Sequence, residues 1–430
     1  VCIAAGKRGA LTLKNFKGQE GEIITFINSD GQVVIDANGD TDGLDMSNCQ
    51  YVHLTGTGVG GIEYGIDIQD FETTGLRASE ETEYLQIDHT RVHHSSYIDV
   101  KGAGIRVRTN NLSFTVHDVY LHHNYVHDVG SSAFYLGDVA GQAAPFDGIE
   151  VAYNIAVRFG REGVQLKQAE GCYIHHNTFI DGGQRKPIPS DQSGSAMIAQ
   201  YVDGEWSYNT SYNCEFGLNI MNHAPDTKIH HNVIAHTWGK GSGIRQRTSA
   251  STLIYHNTIV DSPNEGIRLT SSATSSEIYN NIVAKSGGSH ISASGIPSSK
   301  KHHNLLADTI EQVRFVNPGS NDYRLRSGSP AIGAASDGSD CGAYQYEETV
   351  LPGDLNQDGI VDIFDLVIVG NSFGKSPGQA GYDPRADADH TIGLSVATAD
   401  GKGNYSSVKA GDTVCIAAGK RGALTLKNFK

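Results

Sequence analysis

Between residues 121 and 308 the chain repeats a short phrase in which apolar and polar positions alternate around an asparagine. The phrases are LHHNYVHD around Asn124, AYNIAVR around Asn154, IHHNTFID around Asn177 and SYNTSYN around Asn209. IHHNVIAH around Asn232, IYHNTIVD around Asn257, IYNNIVAK around Asn281 and KHHNLLAD around Asn304 continue the series. Successive asparagines lie 30, 23, 32, 23, 25, 24 and 23 residues apart. A second phrase recurs between them: GVQLK from Gly163, GLNIM from Gly217, GIRQR from Gly243 and GIRLT from Gly266. Period-two alternation over such short runs predicts two or three strands per repeat, separated by turns.

A repeat of ~23 residues cannot bury its own apolar face; stacking repeats at ~4.8 Å buries the Ile, Val and Leu positions in one continuous core. The expected fold is therefore all-β, a parallel solenoid. Stacking also accounts for the asparagine, which tolerates a left-handed turn and can bond its amide to the equivalent amide of the next repeat. His122, His175, His230 and His302 are expected to stack on one outer face in a surface or turn role, rather than to bind metal.

Composition narrows the class. Glycine contributes 51 of 430 residues, about 12% against a usual ~7%. Charged residues are 19% and hydrophobic residues 38%, which excludes a long charged helix and a disordered chain. No run approaches the ~20 apolar residues of a membrane-spanning helix. The net charge of −15 is unsuited to nucleic acid, whose phosphates need a basic surface. The cysteines Cys2, Cys49, Cys172, Cys214, Cys341 and Cys415 form no CxxC pair, and their spacing assigns no disulfide. No basic segment leading into a long apolar run stands at Val1.

Residues 1–346 resemble the right-handed parallel β-helix proteins of the pectate-lyase-like superfamily. FVNPGSNDYRLRSGSPAIGAA from Phe315 resembles the closing segment of secreted bacterial members, and GAYQY at Gly342–Tyr346 the strand that ends such domains. The resemblance implies a secreted, extracellular or cell-surface protein of 12 to 14 rungs, if each takes roughly 25 residues. It leaves activity open, because the fold carries lyases, hydrolases, adhesins and fibre proteins.

Residues 354–365 read DLNQDGIVDIFD. Asp354, Asn356, Asp358, Asp362 and Asp365 occupy positions 1, 3, 5, 9 and 12 of a loop, Gly359 takes the sharp turn, and the Ile360 carbonyl serves position 7; hard oxygens so spaced suit Ca²⁺. Aspartate at position 12, followed by IFDLVIVGNSFG, resembles a type I dockerin repeat. A dockerin has two repeats. Here the second begins as YDPRADAD at Tyr382 and lacks its ligands from His390 onward. Residues 351–389 thus read as a half-dockerin, a small α-helical calcium module.

Residues 414–430 repeat residues 1–17 letter for letter, VCIAAGKRGALTLKNFK, at a period of 413. Residues 390–430 resemble the normal start of a secreted β-helix, displaced to the far end. A circular permutation, a window on a polyprotein and an end-to-end polymer all produce such a recurrence. A solenoid has open ends, and a head-to-tail contact between unlike ends grows without closing. The expected function is an extracellular structural protein whose copies join head to tail, by strand exchange, into a calcium-stabilised filament.

Two alternatives remain: a calcium-dependent lyase of acidic polysaccharide, and a carbohydrate-binding adhesin. In strands such as GIRLT the Ile points inward and the Arg outward. The outward strip gathers Arg106, Arg108, Gln165, Lys167, Arg245, Arg247 and Arg268, with Arg106, Gln165, Arg245 and Arg268 as candidate substrate contacts. Lys167 and Arg247 are the candidate bases if the chain is a lyase. Glu162 and Glu265, each before a strand glycine, could offer a metal ligand or balance the arginines.

Overall fold

The computed structural model describes residues 1–95, 102–137, 145–183, 194–221, 227–249, 251–347, 355, 363–372, 380 and 383–384. The chain forms two compact units, one of residues 1–325 with 329–346, the other of 326–328 with 347–430.

The first unit is the solenoid. A representative rung contains strands Val116–His122, Tyr125–Val129 and Phe134–Leu136. Each pairs in parallel with its counterpart in the neighbouring rungs, so three sheets run along the stack. In the second sheet, the one holding Tyr125–Val129, eleven such pairings link twelve strands from Cys2–Arg8 to Leu305–Ala307. Twelve rungs fall within the expected range.

Inward positions stack like on like. Val52, Leu85, Val119 and Ile149 are direct neighbours in the first sheet and all buried. One apolar core extends this way from Ile3 to Ile296.

The asparagines line the turn between the first and second sheets. The Asn124 amide donates to the side-chain oxygen of Asn154 at 3.0 Å, and links of 2.9–3.1 Å continue through Asn177, Asn209, Asn232, Asn257 and Asn281 to Asn304. Backbone amides of the same residues donate to the same oxygens. The left-handed residue, however, is the one before each asparagine. His123, Tyr153, His176, Tyr208, His231, His256, Asn280 and His303 have φ between 49° and 57°. The asparagine side chain is then turned inward, where burial makes its bonds obligatory.

The recurrent glycine has a separate cause. A Cβ on Gly75, Gly104, Gly217, Gly243 or Gly266 would lie 2.2–2.5 Å from a methyl of Val92, Val126, Ile234, Ile259 or Val283, the second-sheet residue packed behind it. Only glycine lets the chain turn that tightly into the third sheet.

The closing segment departs from expectation. Phe315–Asn317 and Asp322–Leu325 form an antiparallel pair, but Gly342–Tyr346 is not a strand. It lies against the side of the stack because its backbone is claimed there. The Gly342 amide donates to the Asn280 carbonyl, and the Ala343 amide to the Thr258 hydroxyl, both at 2.9 Å. Beneath it, Phe315, Tyr323, Leu325 and Cys341 form a second apolar cluster with Val260 and Ile282.

In the second unit the helix Ile363–Ser372 is described. Among the described residues no helix is long and apolar enough to cross a membrane, which says nothing of membrane β-barrels.

Candidate functional site

The third sheet presents the predicted strip. Its outward column runs, rung by rung, Asp45, Arg77, Arg106, Tyr135, Gln165, Ile198, Asn219, Arg245, Arg268 and Ser292. Flanking residues are buried, as in Ile267–Arg268–Leu269, where only the arginine is exposed. The inward-outward expectation holds for Arg106, Arg245 and Arg268 but not for Gln165, which is buried and so is no surface contact, and the strip is two clusters rather than one.

The first centres on Tyr135, which sequence reading overlooked. Arg106 and Lys167 both lie over its ring, at 4.8 and 5.4 Å from the centroid, and Lys167 Nζ donates to its hydroxyl at 3.3 Å. An aromatic face holds cations without neutralising them. Gln165 follows Tyr135 in the column and is 3% exposed. Arg108 turns aside, its guanidinium donating to Asn110 Oδ1 at 2.7 and 3.1 Å. The only signal for Tyr135 in the sequence was position, one repeat after Arg106 and one before Gln165; its phrase AFYLG lacks the glycine of its relatives.

Behind this cluster Glu162 is fully buried, so it cannot offer a surface metal ligand. It accepts from the Ser132 hydroxyl at 2.7 Å and pairs with Arg161 at 3.3 Å. Burial raises its pKa against the opposing pull of Arg161, Ser132 and Lys167.

The second cluster contains Asn219, Arg245, Arg247 and Arg268. The Arg245 guanidinium lies 3.9 Å from the centroid of Phe216 and donates to Asn219 Oδ1 at 3.0 Å. Burial, reinforced by Arg247, lowers its pKa to about 10, still charged at neutral pH. Glu265 balances Arg268 at 3.6 Å and accepts from Ser242 at 3.2 Å.

Apolar Ile198, 2% exposed, interrupts the column between the clusters. Lys167 lies opposite Gln200, Gln200 contacts Met221, and Arg247 follows in the next rung, its amide bonded to Ile220. The two candidate bases thus stand three rungs apart, about 14 Å at ~4.8 Å per rung. They cannot serve one bond; Lys167 has the Tyr135 cluster and Arg247 does not.

The histidines occupy another face, where the expected column stacks from His230 through Tyr255 and Tyr279 to His302, with centroids 4.7–5.4 Å apart, and a longer ladder lies one residue beyond it. His122 is followed in register by Ala152, and His175 by Ser207, so those rings do not touch directly. The left-handed neighbours do stack. His89, His123, Tyr153, His176, Tyr208, His231 and His256 form a run of near-parallel rings with centroids 4.8–5.3 Å apart. At its head Asp88, 2% exposed, accepts from His53, from His89 at 2.7 Å and from Thr55 at 2.6 Å. These partners hold its carboxyl well below the usual range despite burial. Such an arrangement covers the ring faces with one another and leaves the rims of Tyr153 and Tyr208 exposed, 44% and 43%.

Of the calcium loop, Asp354, Asn356, Asp358, Ile360 and Asp362 lie outside the described residues. Asp365 is in the first turn of the helix, 2% exposed, and its Oδ1 accepts the Leu355 amide at 2.8 Å. The displaced start, residues 390–430, also lies outside them. Five described cysteines are free thiols, Cys2 exposed and Cys49, Cys172, Cys214 and Cys341 buried.

The model of a family described as the right handed beta helix region matches residues 103–283. Pectate lyase Pel9A is similar in structure, with a TM-score of 0.47 and 12% identity, over 80% of this chain and 87% of its own. A GH136 lacto-N-biosidase from Eubacterium ramulus gives 0.43 and 10%, over 70% of this chain and 60% of its own. No curated protein matches in sequence. The chain is a right-handed parallel β-helix.

Proposed function

We propose that the third sheet binds an acidic polysaccharide, and that the Tyr135 cluster cleaves it by β-elimination. The observation that supports this is the placing of Arg106 and Lys167 over one tyrosine ring, on the outward face of a chain with net charge −15. Cations on an otherwise acidic surface attract a polyanion locally. A uronate carboxylate paired with Arg106 would make its α-proton acidic, by stabilising the enolate that forms. Lys167, in its deprotonated form, would take that proton; the electron pair forms the C4–C5 double bond as the C4–O bond breaks, and the leaving oxygen takes a proton from solvent water. Arg245, held by buried Asn219, and Arg268, further along the sheet, would bind the same polymer at a distance. Incubation with polygalacturonate, followed by absorbance of unsaturated product, tests the reading. Native chain should produce it and Lys167→Ala should not; no product from any uronate polymer removes the lyase and leaves an adhesin.

A structural role has its own support. The strand Cys2–Arg8 pairs with Ile24–Asp36 and, among the described residues, with nothing on its other side. Copies joined there, head to tail, would form the filament expected from the sequence. Residues 354–365 would hold Ca²⁺, Asp365 supplying the closing carboxylate. Electron microscopy of native chain with and without chelator tests both parts: no filaments removes the role, and filaments indifferent to chelator remove calcium from it.

A further inference from the structure

The left-handed ladder of rings stops at one residue. His231 and His256 stack at 5.1 Å, but the next rung reads IYNNI and puts Asn280 in the left-handed place. The closing segment is fastened to that residue. The Ser336 amide donates to Asn280 Oδ1 and the Gly342 amide to the Asn280 carbonyl, both at 2.9 Å. Between the end of the ladder and this segment lies a cavity of about 510 Å³, within the range of sites for small organic ligands. His231, Tyr255, His256 and Tyr279 line it from the stack, and Asp337 and Gln345 from the closing segment.

The bonds around the cavity assign its protons. The Glu205 carboxylate can only accept, so His230, at 3.1 Å and neutral because burial lowers its pKa, donates through Nε2. His230 Nδ1 is then bare and accepts from His231 Nδ1 at 2.8 Å. Burial, reinforced by His230 and His256, lowers the pKa of His231 to about 4. At neutral pH its Nε2 therefore carries a lone pair, which has no partner among the described residues. His256 is fully committed: Nδ1 donates to the Asp340 carbonyl and Nε2 accepts from the Asn280 amide, both at 3.1 Å. Asp337 accepts from the Ser339 hydroxyl and amide through Oδ1, at 2.6 and 3.0 Å, and its side chain is 62% exposed. Its Oδ2 makes no hydrogen bond among the described residues, nor do the hydroxyls of Tyr255 and Tyr279, whose stacked rings lie 5.2 Å apart.

The cavity thus combines two unused acceptors, His231 Nε2 and Asp337 Oδ2, with two hydroxyls that donate or accept. Its ligand must do both as well, as sugar hydroxyls do. The charge lining the cavity is that of Asp337, and no lysine or arginine lines it, which excludes an acidic sugar. Among the described residues no three side chains converge to hold a metal ion. We propose that this cavity binds a neutral sugar unit, held at the ring rims by hydrogen bonds rather than by stacking. It sits at the corner between the first and second sheets, apart from the third-sheet strip, and does not depend on what that strip binds.

Calorimetric titration of the native chain with neutral tetrasaccharides of glucose, galactose, mannose and xylose tests it. At least one is expected to bind with a Kd of about 1 mM or tighter. Asp337→Asn keeps the bonds to Ser339 and removes the charge; it should weaken that binding at least about tenfold, the worth of one charge-assisted hydrogen bond. Tyr255→Phe and Tyr279→Phe should each weaken it about three- to tenfold. Melting should stay native in all three, because the atoms removed hold nothing in the fold. Polygalacturonate should not displace the bound sugar. Failure of all four sugars to bind overturns the proposal. Undiminished binding in all three variants, or displacement by polygalacturonate, places the sugar elsewhere and also overturns it. Should a variant fold poorly, nitrogen NMR of native chain provides a second measurement: the bound sugar should shift the His231 Nε2 resonance and leave that of His176 in place. An unmoved His231 resonance overturns the assignment.

Discussion

The side-chain oxygen of Asn177 accepts two bonds from Asn154, from the backbone amide at 3.0 Å and from the side-chain amide at 3.0 Å. Its own amide donates onward to Asn209 and back to the Val151 and His175 carbonyls. Asn177→Ala therefore leaves the buried Asn154 backbone amide without its acceptor and removes a bond from each of Asn209, Val151 and His175. At about 1–3 kcal/mol for each buried unsatisfied group, the expected loss is about 3 kcal/mol in chemical denaturation. A loss below about 1 kcal/mol would mean that water enters the turn and satisfies them.

Gly217→Ala tests the glycine column. The new methyl would lie 2.5 Å from Ile234 Cγ2 and 2.6 Å from the Gly243 carbonyl. Overpacking of this kind costs about 1–3 kcal/mol. Gly171→Ala, where nothing lies within 4 Å but φ is 63°, isolates the backbone cost. If the two variants melt alike, crowding is not the reason for the glycine.

Acid should loosen the solenoid before it protonates Asp88. Burial lowers the pKa of His122 and of His231 to about 4, from an ordinary value near 6.5. An unfolded chain then binds more protons than the folded one between about pH 6.5 and 4, so stability falls with pH across that window and levels off below it. Melting temperature against pH measures this. His231→Gln should shallow the slope between those limits; an unchanged slope would locate the titration elsewhere.

The two clusters of the third sheet should respond to salt and to shape separately. Arg268→Ala removes an exposed cation already balanced by Glu265, and should weaken polygalacturonate binding about two- to threefold, less at high salt. Tyr135→Leu retains Arg106 and Lys167 but removes the ring beneath them, and should reduce cleavage at least tenfold with a smaller change in binding. Equal effects on both would make Tyr135 a general binding residue.

Asp365→Asn keeps the shape of the loop's last residue and halves its donor quality. Calcium titration by calorimetry should show at least tenfold weaker binding than native. Equal affinity would exclude Asp365 as a ligand, leaving it the hydrogen bond to Leu355.

Much of this was legible in the residues. Spacing alone located the asparagine turn and the strand glycines, because both recur wherever a rung closes. The reason for the glycine was not legible. It depends on a second-sheet methyl some 17 residues later, such as Ile234 behind Gly217, and the pattern of one strand does not report what packs behind it. The expected histidine column stacks only from His230 to His302; the longer ladder beside it was missed because HH pairs do not say which member takes the left-handed turn. Tyr135 was missed because its value lies in what rests on it, Arg106 from one rung and Lys167 from another. The calcium loop's remaining ligands have only their spacing to speak for them.

The asparagine ladder also divides the molecule into parts that change at different speeds. Rung lengths vary from 23 to 32 residues, yet the amide-to-amide distance stays at 2.9–3.1 Å. Extra residues must therefore enter at the other corners, those bordering the third sheet. A lineage could lengthen, shorten or replace those corners, and so reshape whatever the cationic face admits, while the spine that aligns the rungs remained as it is.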